Sequence, residues 1–168
     1  MANNLEYIKT ASGTGVSTLT VADCFSAYYT NYYMAISKAK FSSNAYTWIR
    51  FMDSSGSLIN ASEYDNAMLD MYANAGFANL GGDNQSAIAN FALAQSGVSD
   101  FGGIGVYIFS PFTSNFTYTI QRSTSFSSQG RATQGLGVHK SAEVLSGIQV
   151  NRSAGDAFDM EINMYGIK

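Results

Sequence analysis

Phe158-Asp159-Met160-Glu161-Ile162-Asn163-Met164-Tyr165 alternates without a break. Phe158, Met160, Ile162 and Met164 point one way, and Asp159, Glu161, Asn163 and Tyr165 the other. A period of two over this length is the signature of a strand with one face on a core and one on solvent. The same reading extends outward. Tyr46-Thr47-Trp48-Ile49-Arg50-Phe51-Met52 is aromatic and β-branched, and it ends at Asp53-Ser54-Ser55-Gly56-Ser57, a hairpin-type connection back into Leu58-Ile59. Tyr32, Met34 and Ile36 alternate with Tyr33, Ala35 and Ser37, and Phe116, Tyr118 and Ile120 alternate with Thr117, Thr119 and Gln121.

Shorter strands are expected at Leu5–Thr10, before the turn cluster Ser12-Gly13-Thr14-Gly15, and at Thr18–Val21, Leu136–His139 and Ser146–Val150. Phe101-Gly102-Gly103-Ile104-Gly105-Val106-Tyr107-Ile108-Phe109 reads as a central strand. Gly103 and Gly105 share one of its faces, which fits a bulge or the close approach of a neighbouring backbone. No helix follows those glycines and no Lys-Ser/Thr pair closes them, so they are not a phosphate loop. Ser110-Pro111-Phe112-Thr113-Ser114-Asn115 is a turn with the single proline at its corner. Ala22 to Ala27 is read as a helical turn or a loop, and Gly76 through Gly81-Gly82-Asp83-Asn84 as a long loop, with extended structure resuming at Ile88, Phe91 and Leu93. Residues 63–73 satisfy two readings. Tyr64, Met68, Leu69, Met71 and Tyr72 have helical spacing, while the apolar run from Ala67 to Ala73 suits a buried strand.

Many short strands with no repeat and no linker predict an all-β fold over residues 1–168. The expected form is one antiparallel two-sheet sandwich, jelly-roll-like, with at most short helical turns. A chain of this length buries about 70% of its unfolded surface and needs no staples. Charged residues make up 12% of the chain, about half the usual share of about 25%. Solubility therefore rests on Ser, Thr, Asn, Gln and Gly, neutral groups that cost less to desolvate than charges when a surface is covered.

The composition also narrows the chemistry. A net charge of −3 with scattered Lys38, Lys40, Arg122, Arg131 and Arg152 gives no basic stripe for nucleic acid. The chain opens Met1-Ala2-Asn3-Asn4 with no signal peptide pattern, and no run approaches the ~20 apolar residues of a membrane span, so no membrane insertion is expected. Cys24 is the single cysteine, in an apolar context that suits a buried thiol. His139 is the single imidazole, at an expected strand end where a surface role is the bland reading. One His and one Cys cannot supply a zinc site of the usual kind. Asp83-Asn84 and Asp53-Ser54-Ser55 lack calcium-loop spacing. Trp48, in mid-strand, is expected in the core rather than as a sugar platform. Glu63 with Asp65, and Asp159 with Glu161, are i, i+2 pairs about 7 Å apart on one strand face. That falls within the range of about 6.5–9.5 Å used by inverting glycosidases, but solvation of a strand is the commoner role of such acids. No catalytic, cofactor-binding or metal-ligating residue is assigned, and a non-enzymatic protein is expected.

Five stretches carry a resemblance. They are Asn4-Leu5-Glu6-Tyr7-Ile8-Lys9, Phe51-Met52-Asp53-Ser54-Ser55-Gly56, Ala61-Ser62-Glu63-Tyr64-Asp65-Asn66-Ala67, Tyr107-Ile108-Phe109-Ser110-Pro111-Phe112 and the terminal Met164-Tyr165-Gly166-Ile167-Lys168. In these the chain resembles small virion structural proteins of marine tailed bacteriophages, of the cyanophage and pelagiphage type. The likeness covers essentially the whole length in short motifs, none of them catalytic. Where that group often has Tyr-Asp-Tyr-Ala, this chain has Tyr64-Asp65-Asn66-Ala67. The resemblance implies a β-rich virion component with no assigned activity. The absence of a shaft or adaptor before the first strand favours a capsid decoration or cement protein at the virion surface. The expected partners are copies of itself, as a homotrimer, and other virion proteins. Tyr28, Tyr29, Tyr32, Tyr33 and Phe112 are the candidate docking side chains, since aromatic residues are enriched in interface cores. A tail-fibre or tail-tip module recognising a host surface glycan stands as the alternative.

Overall fold

The computed structural model of the chain describes residues 4–42, 45–74, 76–94, 102–126, 130–152 and 157–168. Phe101, read as the start of the central strand, lies outside them. Twelve strands follow in order: β1 (Leu5–Val16), β2 (Thr18–Val21), β3 (Asn31–Phe41), β4 (Ala45–Asp53), β5 (Tyr64–Tyr72), β6 (Gly76–Gln85), β7 (Ile88–Ala94), β8 (Gly102–Phe109), β9 (Thr117–Phe126), β10 (Gly130–His139), β11 (Leu145–Arg152) and β12 (Phe158–Ile167). They form two antiparallel sheets, one of eight strands in the order β1-β12-β3-β8-β9-β10-β5-β6 and one of four in the order β2-β11-β4-β7. Among the described residues there is no helix, and hence none long and apolar enough to cross a membrane.

The strand order makes the topology explicit. Two hairpins, β5–β6 and β9–β10, extend the larger sheet beyond β8. With these set aside, the other eight strands numbered in chain order run 1-8-3-6 in one sheet and 2-7-4-5 in the other. First and last strands are neighbours in the larger sheet, as are third and sixth, while second and seventh and fourth and fifth are neighbours in the smaller. That is the rolled arrangement of a jelly roll.

The core lies between those eight strands. From β12 it takes Phe158, Met160, Ile162 and Met164, the apolar half of the opening octet, each at most 2% exposed. Tyr32, Met34 and Ile36 of β3 and Ile104, Val106 and Ile108 of β8 lie beside them. Val21, Ile49, Phe51, Leu145, Ile148 and Val150 face them from the smaller sheet. Cys24 is buried in the same cluster, and burial pushes its thiol pKa up to about 12, which leaves it protonated and inert.

One open reading is decided and several local expectations are corrected. Residues 64–72 are strand: Tyr64, Asn66, Met68 and Asp70 face inward, so both hydrophobic and polar residues occupy the strand's buried face. The glycine-rich stretch from Gly76 is a strand too, because β5 supplies its ladder from Tyr72↔Gly76 to Tyr64↔Gln85. The turn cluster at Ser12–Gly15 lies inside β1, which β12 holds through register shifts at Tyr7/Lys9 and Gly13/Val16. Trp48 is only half-buried, on the outer side of β4 and outside the core cluster, with the Arg50 guanidinium 5.4 Å from its ring centroid. Leu58 makes a single bridge to Met52 rather than a second hairpin strand. At Gly105 the close approach is made by a side chain: a Cβ there would stand 2.7 Å from the Tyr33 hydroxyl.

Candidate functional site

The hairpin β9–β10 reverses the usual sense of an amphipathic strand. In β9 the buried residues are Thr117, Thr119, Gln121 and Ser123, and in β10 they include Thr133 and His139. The apolar members face out: Tyr118 is 53% exposed, Ile120 44% and Leu136 53%. Beneath this hairpin lies β7, which packs against β9, β10, β5 and β6. The buried polar layer is partly self-satisfied. Ser123 and Thr133 share a 2.5 Å hydrogen bond, and the Thr119 hydroxyl donates to Gln121 at 3.2 Å. Further along, Arg131 forms a two-pronged pair with the fully buried Asp70, its Nε donating at 2.8 Å and its Nη2 closing the second contact. The Tyr72 and Tyr46 hydroxyls accept from the same guanidinium. Burial works against the Arg131 charge, but Asp70, with Tyr72 and Tyr46, more than offsets it and the net shift is upward.

The outer face of the larger sheet carries a continuous lateral row. Cross-strand pairing places Tyr7 opposite Tyr165, Tyr165 opposite Tyr33, and Tyr33 opposite Tyr107. The row continues through Ile120, Leu136 and Ala67 to Gly81, and so reaches all eight strands. The rings touch in sequence, with centroids 6.1, 6.4 and 5.0 Å apart, within the range in which aromatic pairs attract beyond simple burial. Apart from its phenols the row has no ionisable side chain. Charged pairs flank it: Lys38 with Glu161 at 2.7 Å on one side and Lys140 with Asp65 at 2.8 Å on the other.

The candidate docking residues divide on this geometry. Tyr33 stands in the row, half-buried. Tyr28 is 90% exposed, in the connection between β2 and β3. Tyr29 is half-buried and covers Gly166. Phe112 is partly buried against the core. Tyr32 is fully buried, its hydroxyl donating to the Ser26 carbonyl at 2.8 Å and accepting from the Ser26 N–H at 2.7 Å. Its ring is core, so it leaves the docking set. Tyr7, Tyr107, Ile120, Leu136 and Tyr165 become candidates only with the fold, because their place in one row depends on a strand order that short-range alternation does not contain.

The carboxylate pairs each have separate partners. Asp65 accepts from Lys140 and from the Asn84 backbone N–H at 2.7 Å, and both, the lysine first, hold its pKa below the usual range. Glu161 is lowered by Lys38 and Asn163, and Asp159 accepts from the Gly15 N–H at 2.9 Å. Asp53 is lowered by the hydroxyl of Ser55 and the N–H of Ser57, donors of its own turn.

Glu63 has a different neighbour. His139, the last residue of β10, is fully buried, its ring 4.9 Å from that of Tyr64 and 6.0 Å from that of Phe51. Its Nε2 lies 3.4 Å from a Glu63 carboxylate oxygen and 3.6 Å from one of Glu143. Burial lowers the imidazole pKa, against the upward pull of Glu143 and Glu63. Counting His and Cys alone could not find this cluster, because the fold supplies its two glutamates from separate connections. No protein-family model matches the chain, and no curated protein matches its sequence.

Proposed function

We propose that this chain is a non-enzymatic structural protein of a bacteriophage virion, a decoration or cement-type surface protein that docks through the outer face of its eight-stranded sheet. The observation that carries the reading is the reversed burial of β9 and β10, which keeps hydroxyls and amides inside and leaves Tyr118, Ile120 and Leu136 outside. A partner that covers this face removes the cost of exposing it. The dimensions suit such a role. Eight strands at a spacing of about 4.8 Å, each rising about 3.3 Å per residue over eight or more residues, present ~900 Å². A standard interface takes about 800 Å² from each partner. An apolar, aromatic centre with charged pairs at its margins matches the anatomy of protein interfaces.

Copies of the chain, as a homotrimer, and neighbouring virion proteins are the proposed partners, and the virion surface its location. The test is the mass of the purified protein by sedimentation, together with its binding to particles stripped of it. Self-association and saturable rebinding are expected. A protein that stays monomeric and has no affinity for particles overturns the reading. A second reading, recognition of a host surface glycan, is favoured by one feature: Tyr33, Gly105, Tyr107, Ile120 and Arg122 line a groove. Binding to sugars on a glycan array, abolished by Tyr107→Ala, supports that reading, and a blank array removes it.

A further inference from the structure

We propose that Glu63, His139 and Glu143 form a binding site for one divalent transition-metal ion of the zinc class. This inference is independent of the docking role. Each residue offers one ligand atom, and the three atoms lie within 4.8 Å of one another. Ligand atoms on a tetrahedral zinc, at bonds of about 2.0–2.2 Å, stand about 3.3–3.6 Å apart. The His139 Nε2 to carboxylate separations of 3.4 and 3.6 Å are already at that spacing.

Two observations make the cluster more than a pair of surface acids. His139 is fully buried, and Nε2, with carboxylate oxygens of Glu63 and Glu143 at 3.4 and 3.6 Å, makes no hydrogen bond of good geometry with either. A buried, unpartnered ring nitrogen costs stability unless something takes its lone pair or its proton. Secondly, two carboxylates face each other, and among the described residues no Lys or Arg forms an ion pair with either. The nearest lysine in sequence, Lys140, is held elsewhere by Asp65 and by the Asn84 side-chain carbonyl, each at 2.8 Å. A bound cation answers both deficits at once.

The fold fixes the site from three directions. His139 pairs with Tyr64 in the β10–β5 ladder, and the Lys140 N–H donates to the Glu63 carbonyl at 2.8 Å. Glu143 comes from the connection to β11, which is anchored where the Leu145 N–H donates to the Pro111 carbonyl at 2.8 Å. The carboxylates, 40% and 31% exposed, have room to close on an ion and leave a fourth position to water. An imidazole ligand favours zinc-class ions over magnesium or calcium. The second ring nitrogen, Nδ1, also has no hydrogen-bond partner. The ring is therefore oriented by Tyr64 and Phe51 rather than by an outer-shell acceptor, which places the affinity below that of a fully buttressed site.

The test uses the full chain stripped of metal with a chelator, then titrated calorimetrically with Zn²⁺ and, in parallel, with Co²⁺ observed by visible absorption. One equivalent is expected to bind, with the d–d bands of a four-coordinate ion for Co²⁺. Glu143→Gln and Glu63→Gln, at partly exposed positions, are each expected to weaken binding about tenfold or more while the metal-free proteins keep their melting temperature. Asp83→Asn, an exposed acid outside the cluster, leaves binding unchanged. Absence of saturable uptake of either ion, or equal affinity in Glu143→Gln and the parent, overturns the proposal.

Discussion

Leu136→Asp tests the docking face where the arithmetic is simplest. Leu136 sits mid-row between Ile120 and Ala67 and keeps 53% of its surface in water. Full burial of a leucine side chain contributes about 1.5–3 kcal/mol, so a partner that covers the remaining half gains about 0.8–1.6 kcal/mol per copy. Across three copies of a trimer that is ~2.4–4.8 kcal/mol, on the same basis. An aspartate at the same spot removes this term and adds the desolvation of a charge, several kcal/mol where no cation meets it. Since about 1.4 kcal/mol is a factor of ten, the association constant falls at least about a thousandfold. The fold itself loses no more than about 1 kcal/mol, the range of strand propensities at an outward position. Sedimentation velocity over a wide concentration range reads the first effect, and urea unfolding reads the second. Asn60→Asp, on an exposed loop, serves as the charge-matched control. An unchanged association constant for Leu136→Asp refutes the reasoning, as does a fall of equal size in the control.

Three further outcomes concern contacts within the fold. Arg131→Met leaves the fully buried Asp70 without its cation and is expected to cost about 3–5 kcal/mol, and adding Asp70→Leu should restore most of it, as read by urea midpoints. In Gly135→Ala the new Cβ stands 2.6 Å from the Ala67 carbonyl oxygen and 3.1 Å from the Met68 Cα, so β10 must move off β5; about 1–3 kcal/mol of stability should be lost. The Asp65 and Asp53 carboxyls are depressed from 3.8 by their partners. Their stabilisation is therefore complete above that unfolded value and lost as pH falls through the lower folded-state values. Acid unfolding of Asp65→Asn should show a shallower pH dependence below about pH 4 than the parent, while a profile identical to the parent's rejects the assignment.

Much of the scaffold was legible because β12 alternates strictly, β3 alternates from Tyr32 to Ser37 and β4 is aromatic and β-branched, patterns that leave few folds other than a sheet. The eight-stranded order was not: β9–β10 and β5–β6 are local hairpins, but β10 meets β5 through pairs such as Arg131↔Tyr72, far apart in sequence. Residues 63–73 show the limit plainly: the spacing of Tyr64, Met68 and Tyr72 also fits a helix, and the ladder with β10 decides it. Alternation in β9 gave two residue sets but not the side each faces, because β7 packs on the Thr and Gln set rather than on the aromatic one. His139 could be read only as a lone imidazole until the fold brought Glu63 and Glu143 to its Nε2.

Hydroxyl-radical footprinting of Tyr7, Tyr33, Tyr107 and Tyr165 in the assembled particle, set against the isolated chain, bears most directly on whether the tyrosine row is covered. Trp48, half-buried on the outer side of the smaller sheet, is the internal reference. Modification of the four row tyrosines should fall severalfold on assembly relative to Trp48. Rates that stay the same for all four in both states contradict the account.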